Sequence, residues 1–216
     1  MKIGVIGSGT AGQALAVGFL NEKHEVMLSS RSSSKPELAQ WQKNNPSGKT
    51  GSFKEAAEFA DLVVLVTGGA VAKDALEMAG KDNLRGKVII DVTNPIEKAP
   101  PENGVLRYFT EMNDSLMEQL QRFVPEAKFV KAFCSVGSNL MYKPNLAGNI
   151  PTMFICGNDD AAKKTVKDIL TSFGWETEDM GKVEAARAIE PLCILWCITG
   201  FLTNTWMHAF KLMKSK

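Results

Sequence analysis

Three glycines, Gly7, Gly9 and Gly12, stand at the spacing Gly-x-Gly-x-x-Gly within Gly7-Ser8-Gly9-Thr10-Ala11-Gly12. The first permits a tight turn, the second lets a backbone approach a pyrophosphate, and the third lets a helix pack closely on a strand. The chemistry is anion binding, because the N–H groups of a helix start face whatever sits over the turn. Further on, where an acid would hold an adenosine 2'-hydroxyl, the sequence has Ser30 and Arg31, with Lys35 close behind. An acid repels a 2'-phosphate. Arg31 can pair with it bidentately, Ser30 can donate a hydrogen bond and Lys35 can add a point charge. The expected ligands of NADP(H) are therefore Gly7, Ser8, Gly9, Thr10, Ala11 and Gly12 with Ser30, Arg31 and Lys35.

Two further clusters, Thr67-Gly68-Gly69 and Thr93-Asn94-Pro95, follow apolar runs and are expected to line the ribose and nicotinamide through Thr67, Gly68, Asn94 and Pro95. No acid, base or nucleophile stands out. His24 falls between the first helix and the second strand and is read as a surface residue, whereas His208 is placed on the terminal helix and read as structural. A Tyr-x-x-x-Lys pair is absent, since Met112 and Leu146 follow the two tyrosines at that spacing. Cys193 and Cys197 share a helix face in apolar surroundings and read as core thiols. Asp159-Asp160 reads as a helix cap, not a metal site.

The elements that must position these residues alternate. Met1 to Ile6, Val26 to Leu28, Gly48 to Phe53, Leu62 to Val66, Lys87 to Val92 and Phe129 to Cys134 read as strands. Between the first five lie helical patterns at Leu15 to Leu20, at Leu38 to Asn44, at Lys54 to Phe59 and at Ala70 to Ala79, and Asn113 to Phe123 precedes the sixth. Leu62 to Val66 has no polar alternation, as in a parallel strand covered on both faces. The expected fold class is α/β, a Rossmann-type doubly wound, mostly parallel sheet with helices on both faces and a small carboxyl-terminal helical extension. The expected division is 1–181 for the NADP-binding unit and 182–216 for the extension. Ala99 to Gly104 and residues 135–150 read as loops, the second a functional one. Thr152 to Cys156 reads as a strand, and Asn158 or Asp159 caps a helix to Phe173. Trp175 to Met180 reads as a last edge strand, and a long helix runs from Glu184 onward.

That last helix has no Asp, Glu, Lys or Arg between Glu190 and Lys211. Length and apolarity would suit a membrane span, but Pro191, Thr199, Gly200, Asn204 and His208 favour burial against protein. A homodimer interface is the expected form. A net charge of +1 over 216 residues leaves no footprint for nucleic acid or an anionic membrane. The natural partner is a small-molecule substrate. Four cysteines without Cys-x-x-Cys spacing suit a reducing cytoplasm. The amino-terminal apolar run imitates a secretory leader, but Gly7, Ser8, Gly9 and Gly12 interrupt it.

The chain resembles the deazaflavin-dependent NADP reductase family and, equally, the NADPH-binding oxidoreductase domain of the six-transmembrane metalloreductases. The resemblance rests on Gly7 to Gly12, Ser30-Arg31 with Lys35, Val130-Lys131-Ala132-Phe133, Phe154-Ile155-Cys156-Gly157-Asn158-Asp159 and Gly181 to Pro191. It implies hydride transfer between NADP(H) and a flavin, deazaflavin or other small acceptor. It further implies that Ala132 borders the nicotinamide and that Phe133 and Ser135 border the acceptor ring. Aligning two rings requires no side-chain acid, which accords with the absence of one. Gly68-Gly69 is smaller than the family's usual pair and leaves the acceptor unnamed. Two other readings stay open, a non-catalytic NADPH-binding or redox-sensing module and a membrane-associated reductase.

Overall fold

The structure, a computed structural model, describes residues 1–215. Six strands form one parallel sheet: β1 (Lys2–Ile6), β2 (Glu25–Ser30), β3 (Lys49–Ser52), β4 (Leu62–Leu65), β5 (Val88–Asp91) and β6 (Lys128–Lys131). Their order is β3-β2-β1-β4-β5-β6. The direction in which strands are added reverses between β1 and β4, and the carboxyl ends of those two parallel strands open the crevice where doubly wound sheets bind ligands. The helices between them are α1 (Thr10–Asn21), α2 (Pro36–Asn44), α3 (Phe53–Phe59), α4 (Ala72–Ala79), α5 (Lys81–Leu84) and α6 (Leu116–Phe123).

Side chains alternate along the strands, so the sheet is sealed on both faces. Val5, Val64, Ile90 and Val130 point to one side, where Leu15 and Phe19 of α1 meet Phe173 and Trp175. Ile6, Val63, Ile89 and Phe129 point to the other, against Leu76, Leu84, Leu116 and Leu120. Each such side chain contributes about 1.5–3 kcal/mol by leaving water. α3 and α6 start at capping boxes, Ser52 with Glu55 and Ser115 with Glu118. The cap at Ser115 explains why α6 begins at Leu116 and not at Asn113.

Three further expectations change. β6 stops at Lys131, short of Cys134, because Phe133 adopts φ +61° and turns the chain. The next two strands, β7 (Thr152–Ile155) and β8 (Glu176–Asp179), do not extend the sheet. They pair with each other in parallel, joined through α7 (Asp160–Ser172), and touch β6 at a single antiparallel bridge, Lys131 to Cys156. Asp159 caps α7, accepting from the Ala162 N–H at 2.8 Å.

The third change is at the carboxyl end. The helix runs from Val183 to Thr203, its main part being α8 (Ala186–Ile189) and α9 (Pro191–Thr203). Asn204, at φ +52°, ends it. Residues 205–215 return as an extended tail, so His208 lies on the tail and not on the helix. The Phe210 carbonyl accepts from the Thr152 N–H on β7 at 2.9 Å. The His208 ring stacks on Trp196 at 5.0 Å, and the Trp196 Nε1 donates to the His208 carbonyl at 2.8 Å. The Trp206 ring lies over Gly200, where a Cβ would come within 2.2 Å of it.

Candidate functional site

The glycine turn joins β1 to α1 at the crevice. Gly7 has φ +131°, and a Cβ there would lie 2.6 Å from the Val66 carbonyl oxygen. A Cβ on Gly12 would lie 2.0 Å from the Gly7 carbonyl oxygen, so only glycine lets α1 sit this close to its own turn. Gly9 differs. Nothing lies within 4 Å of its Cβ position, and the space beyond it is open for an approaching group.

Two cavities meet over this turn. One, of about 390 Å³, is lined by Gly7, Ser8, Gly9, Ser30, Arg31 and Lys35, with Thr67, Gly68, Val71, Asp74 and Met78 opposite. The other, of about 450 Å³, is lined by Gly9, Thr10, Ala11, Thr67, Gly68 and Asn94, then by Phe133, Val136, Met141, Cys193 and Trp196. Gly9, Val66, Thr67, Gly68 and Val71 belong to both. The first ends in two exposed cations and the second in an apolar pocket. A wider groove of about 850 Å³ lies elsewhere, between α1, α2 and the turn at 138–142, and presents no cation to a phosphate.

NADP(H) fits these residues. The Thr67 hydroxyl is buried without a hydrogen-bond partner at the junction of the two cavities. A polar group so placed is paired by a ligand or by water, or it is costly. Gly9 and Gly68 leave open space on either side of it. Arg31, Lys35 and the α1 start supply positive charge for phosphates.

Not every expected ligand reaches the surface of the cavities. Ser30 lines the first, but its hydroxyl donates to the Ser32 carbonyl oxygen. Gly12 is buried in packing. Pro95, Ala132 and Ser135 are buried behind the walls and line neither cavity. Asn94 does line the second; its Nδ2 donates to the Cys134 carbonyl at 2.7 Å. Phe133 lines it as well. Its positive φ is strained for an aromatic residue, and the Met153 sulfur, accepting from its N–H at 3.1 Å, helps hold it there.

Beneath the second cavity lies a buried ion cluster not expected from the sequence. The Lys131 ammonium is 2.8 Å from Asp91 and 2.9 Å from Glu190, with all three side chains 0–2 % exposed. It also donates to the Thr93 carbonyl at 2.8 Å. Asp91 accepts from the Thr93 N–H and hydroxyl. Glu190 accepts from the Leu116 and Met117 N–H groups, each at 3.0 Å, at the start of α6. Burial disfavours the Lys131 charge, but the two carboxylates outweigh it and hold the ammonium protonated. The members flank Val92, Asn94, Cys134 and Cys193 of the cavity wall, so the cluster fixes that wall. A lone Lys in the apolar run Phe129 to Phe133 and an Asp ending Val88 to Asp91 were the signals in the sequence, since isolated charges in buried strands must be paired.

The two thiols lining the second cavity differ, and hydrogen bonding with Cys197 draws the Cys193 thiol down. Burial pushes the Cys134 thiol far up. Burial, with the neighbouring Cys193 and Cys134, does the same to the Tyr108 hydroxyl, which donates to the Glu190 carbonyl at 2.7 Å. All four cysteines are free and buried. Among the described residues no cluster of His, Cys, Asp or Glu could hold a metal ion.

Comparison with known proteins agrees with this geometry. A family model described as NADP oxidoreductase, coenzyme F420-dependent, matches residues 2–95. The chain is 34% identical to a solved structure from Arthrobacter sp. FB24, provisionally assigned as an F420-dependent NADP-reductase, covering 99% of this chain and 100% of that one at a TM-score of 0.92. It is 26% identical over 203 residues to an F420-dependent NADP reductase of Methanocaldococcus jannaschii, covering 89% of each. It is 28% identical over 198 residues to the metalloreductase STEAP3 of Rattus norvegicus, covering 88% of this chain but spanning 36% of that protein's length.

Proposed function

Since this chain belongs to the coenzyme F420-dependent NADP oxidoreductase family, we propose that it moves hydride between NADP(H) and a deazaflavin or flavin ring. That it is an NADP-dependent oxidoreductase is common ground with its relatives; the acceptor is the proposal. The observation that carries it is the meeting of the two cavities at Gly9, Thr67 and Gly68. One ends in Arg31 and Lys35, and the other in an apolar pocket walled by Phe133, Val136, Met141 and Trp196.

When bound, the cofactor supplies a hydride from its nicotinamide ring. The chain's own residues bind and orient. Gly7 to Gly12 receive the pyrophosphate, Arg31 and Lys35 the 2'-phosphate, and the Thr67 hydroxyl a ribose or carboxamide group. Phe133, Val136, Met141 and Trp196 exclude water from the place where the second ring sits. Rate then comes from ring alignment, worth several kcal/mol when two reactants are held in contact.

Two finer readings accompany this. The outward face of α9 carries Leu195, Phe201 and Leu202, all exposed, beside the exposed Met207. In our reading a second copy covers this face, making a homodimer. Its inward face, with Cys193, Trp196, Cys197 and Gly200, is packed against protein, which favours a cytoplasmic enzyme over a membrane-anchored one. The test is anaerobic mixing of NADPH with a deazaflavin coenzyme, FMN, ferric chelates and quinones. NADPH oxidation should match ring reduction one for one. Tight NADPH binding with no turnover on the whole panel would replace the enzyme by a redox-sensing module.

A further inference from the structure

Among the residues lining the acceptor cavity one side chain is charged, Lys98. It is exposed, so it stands at the mouth, whereas Phe133, Cys134, Val136 and Met141 are buried in the walls. A hairpin fixes its backbone. Ile96 bridges Tyr108, the Glu97 N–H donates to the Arg107 carbonyl at 2.9 Å, and the Phe109 N–H donates to the Pro95 carbonyl at 2.9 Å. The Tyr108 hydroxyl ties that hairpin to Glu190. Among the described residues no carboxylate pairs with Lys98; Glu102 of the same hairpin is taken by Arg107 at 2.6 Å.

The cofactor's phosphates already have Arg31, Lys35 and the α1 start, at the opposite end of the paired cavities. Lys98 is a surplus cation on the acceptor side. A ring acceptor fills the apolar part with its flat, uncharged portion, and its side chain must leave by the mouth. An ionised group on that side chain cannot enter the apolar part without a large desolvation penalty, so it stays at the rim beside Lys98. We propose that Lys98 is a specificity-determining residue that receives the phosphate or phosphodiester of the acceptor's side chain, so that the enzyme selects anionic ring acceptors over neutral ones. This rests on the reading of the site as one for a ring acceptor. A charge-assisted bond at an exposed position corresponds to roughly a 3- to 30-fold preference.

The experiment compares FMN with riboflavin, and the deazaflavin coenzyme with its phosphate-free ring-and-ribityl fragment. Kd is measured on protein loaded with NADP+, and KM and kcat are measured with NADPH. Wild type should favour the phosphorylated member of each pair. Lys98→Ala should erase the preference through the KM of the phosphorylated acceptor, Lys98→Arg should restore it, and Lys98→Glu should invert it. Added salt should erode the preference in wild type and leave Lys98→Ala unmoved. A preference that survives in Lys98→Ala overturns the assignment. So does a loss of NADPH affinity in its place, which would put Lys98 on the cofactor. An equal fall in kcat with phosphorylated and neutral acceptors would put it at the ring and overturn it too. Lys98-dependent binding without reduction of any acceptor would refute hydride transfer while leaving the anion site standing; reduction without discrimination would refute the anion site alone.

Discussion

At the scale of single residues, the site divides into groups that shape it and groups that wait for a ligand. Thr67 is of the second kind. Its hydroxyl is buried and unpartnered, so in the unliganded protein it costs desolvation without return. Thr67→Val should leave the melting temperature of the free protein unchanged or raise it. The same change should weaken NADPH binding by about 3- to 10-fold, one ordinary hydrogen bond. A lower melting temperature with unchanged NADPH affinity would refute a ligand-facing hydroxyl. Arg31→Ala should weaken NADPH by roughly 10- to 100-fold, one charge-assisted pair, and leave NADH untouched, measured by titration of both nucleotides. Equal affinities for the two in wild type would sink the 2'-phosphate reading. The glycine turn and the place of Arg31 at the cavity's end were legible in the sequence because both are local, within a few residues of a strand end. The Ser30 hydroxyl was less so: it donates to a carbonyl two residues on, a choice decided by the path of the loop and not by residue type.

At the scale of elements, the sheet and its first five crossovers followed from alternating apolar runs, which any buried parallel sheet requires. What could not be read was pairing across distance. Lys131 meets Asp91 and Glu190 from β6, β5 and the turn into α9, three elements far apart in sequence. Lys131→Met would leave two buried carboxylates facing each other and should destabilise the fold by about 3–5 kcal/mol in denaturant unfolding. A loss below about 1 kcal/mol would show the cluster to be wetter than drawn. A second link joins α6 to α8. Glu118 accepts from the Ser115 N–H at 2.8 Å and from the Arg187 Nη2 at 2.6 Å. Burial pushes the Glu118 carboxyl up, but Arg187 and Ser115 together pull it down to about 2. A folded pKa below the unfolded value near 4.3 stabilises the protein above that value. The contribution is then lost as pH falls toward 2. Arg187 is partly exposed, so screening limits the pair to about 1–2 kcal/mol. Arg187→Ala should shift the acid-unfolding midpoint, followed by circular dichroism, to higher pH. Superimposable transitions would exclude the link.

At the scale of the whole molecule, the last thirty residues depart furthest from expectation. A charge-free stretch reads as one long helix, because hydropathy carries no record of where a chain doubles back. The reversal depends on Asn204 in a left-handed conformation and on Trp206 finding the gap over Gly200. With the tail laid on β7, one flank of α9 is covered and the other remains apolar and exposed. Leu202→Glu on that flank should convert a dimer to monomers in sedimentation equilibrium while the far-ultraviolet circular dichroism stays the same. A wild type already monomeric at high concentration would remove the dimer reading.

The buried ion cluster also sets an order in time. Asp91 and Lys131 are made before Glu190, which lies 59 residues after Lys131 by numbering. At ribosomal speeds of about 5–20 residues per second, that separation lasts roughly 3–12 s. A sheet that closes β6 on β5 in that interval holds an ammonium with one of its two counter-ions, and the Leu116 and Met117 N–H groups lack the Glu190 carboxylate. The glycine turn, made first, thus waits on residues made last before the pocket beside it has a fixed wall. A chain stalled on the ribosome between Lys131 and Glu190 would hold the glycine turn without a fixed floor to the second cavity.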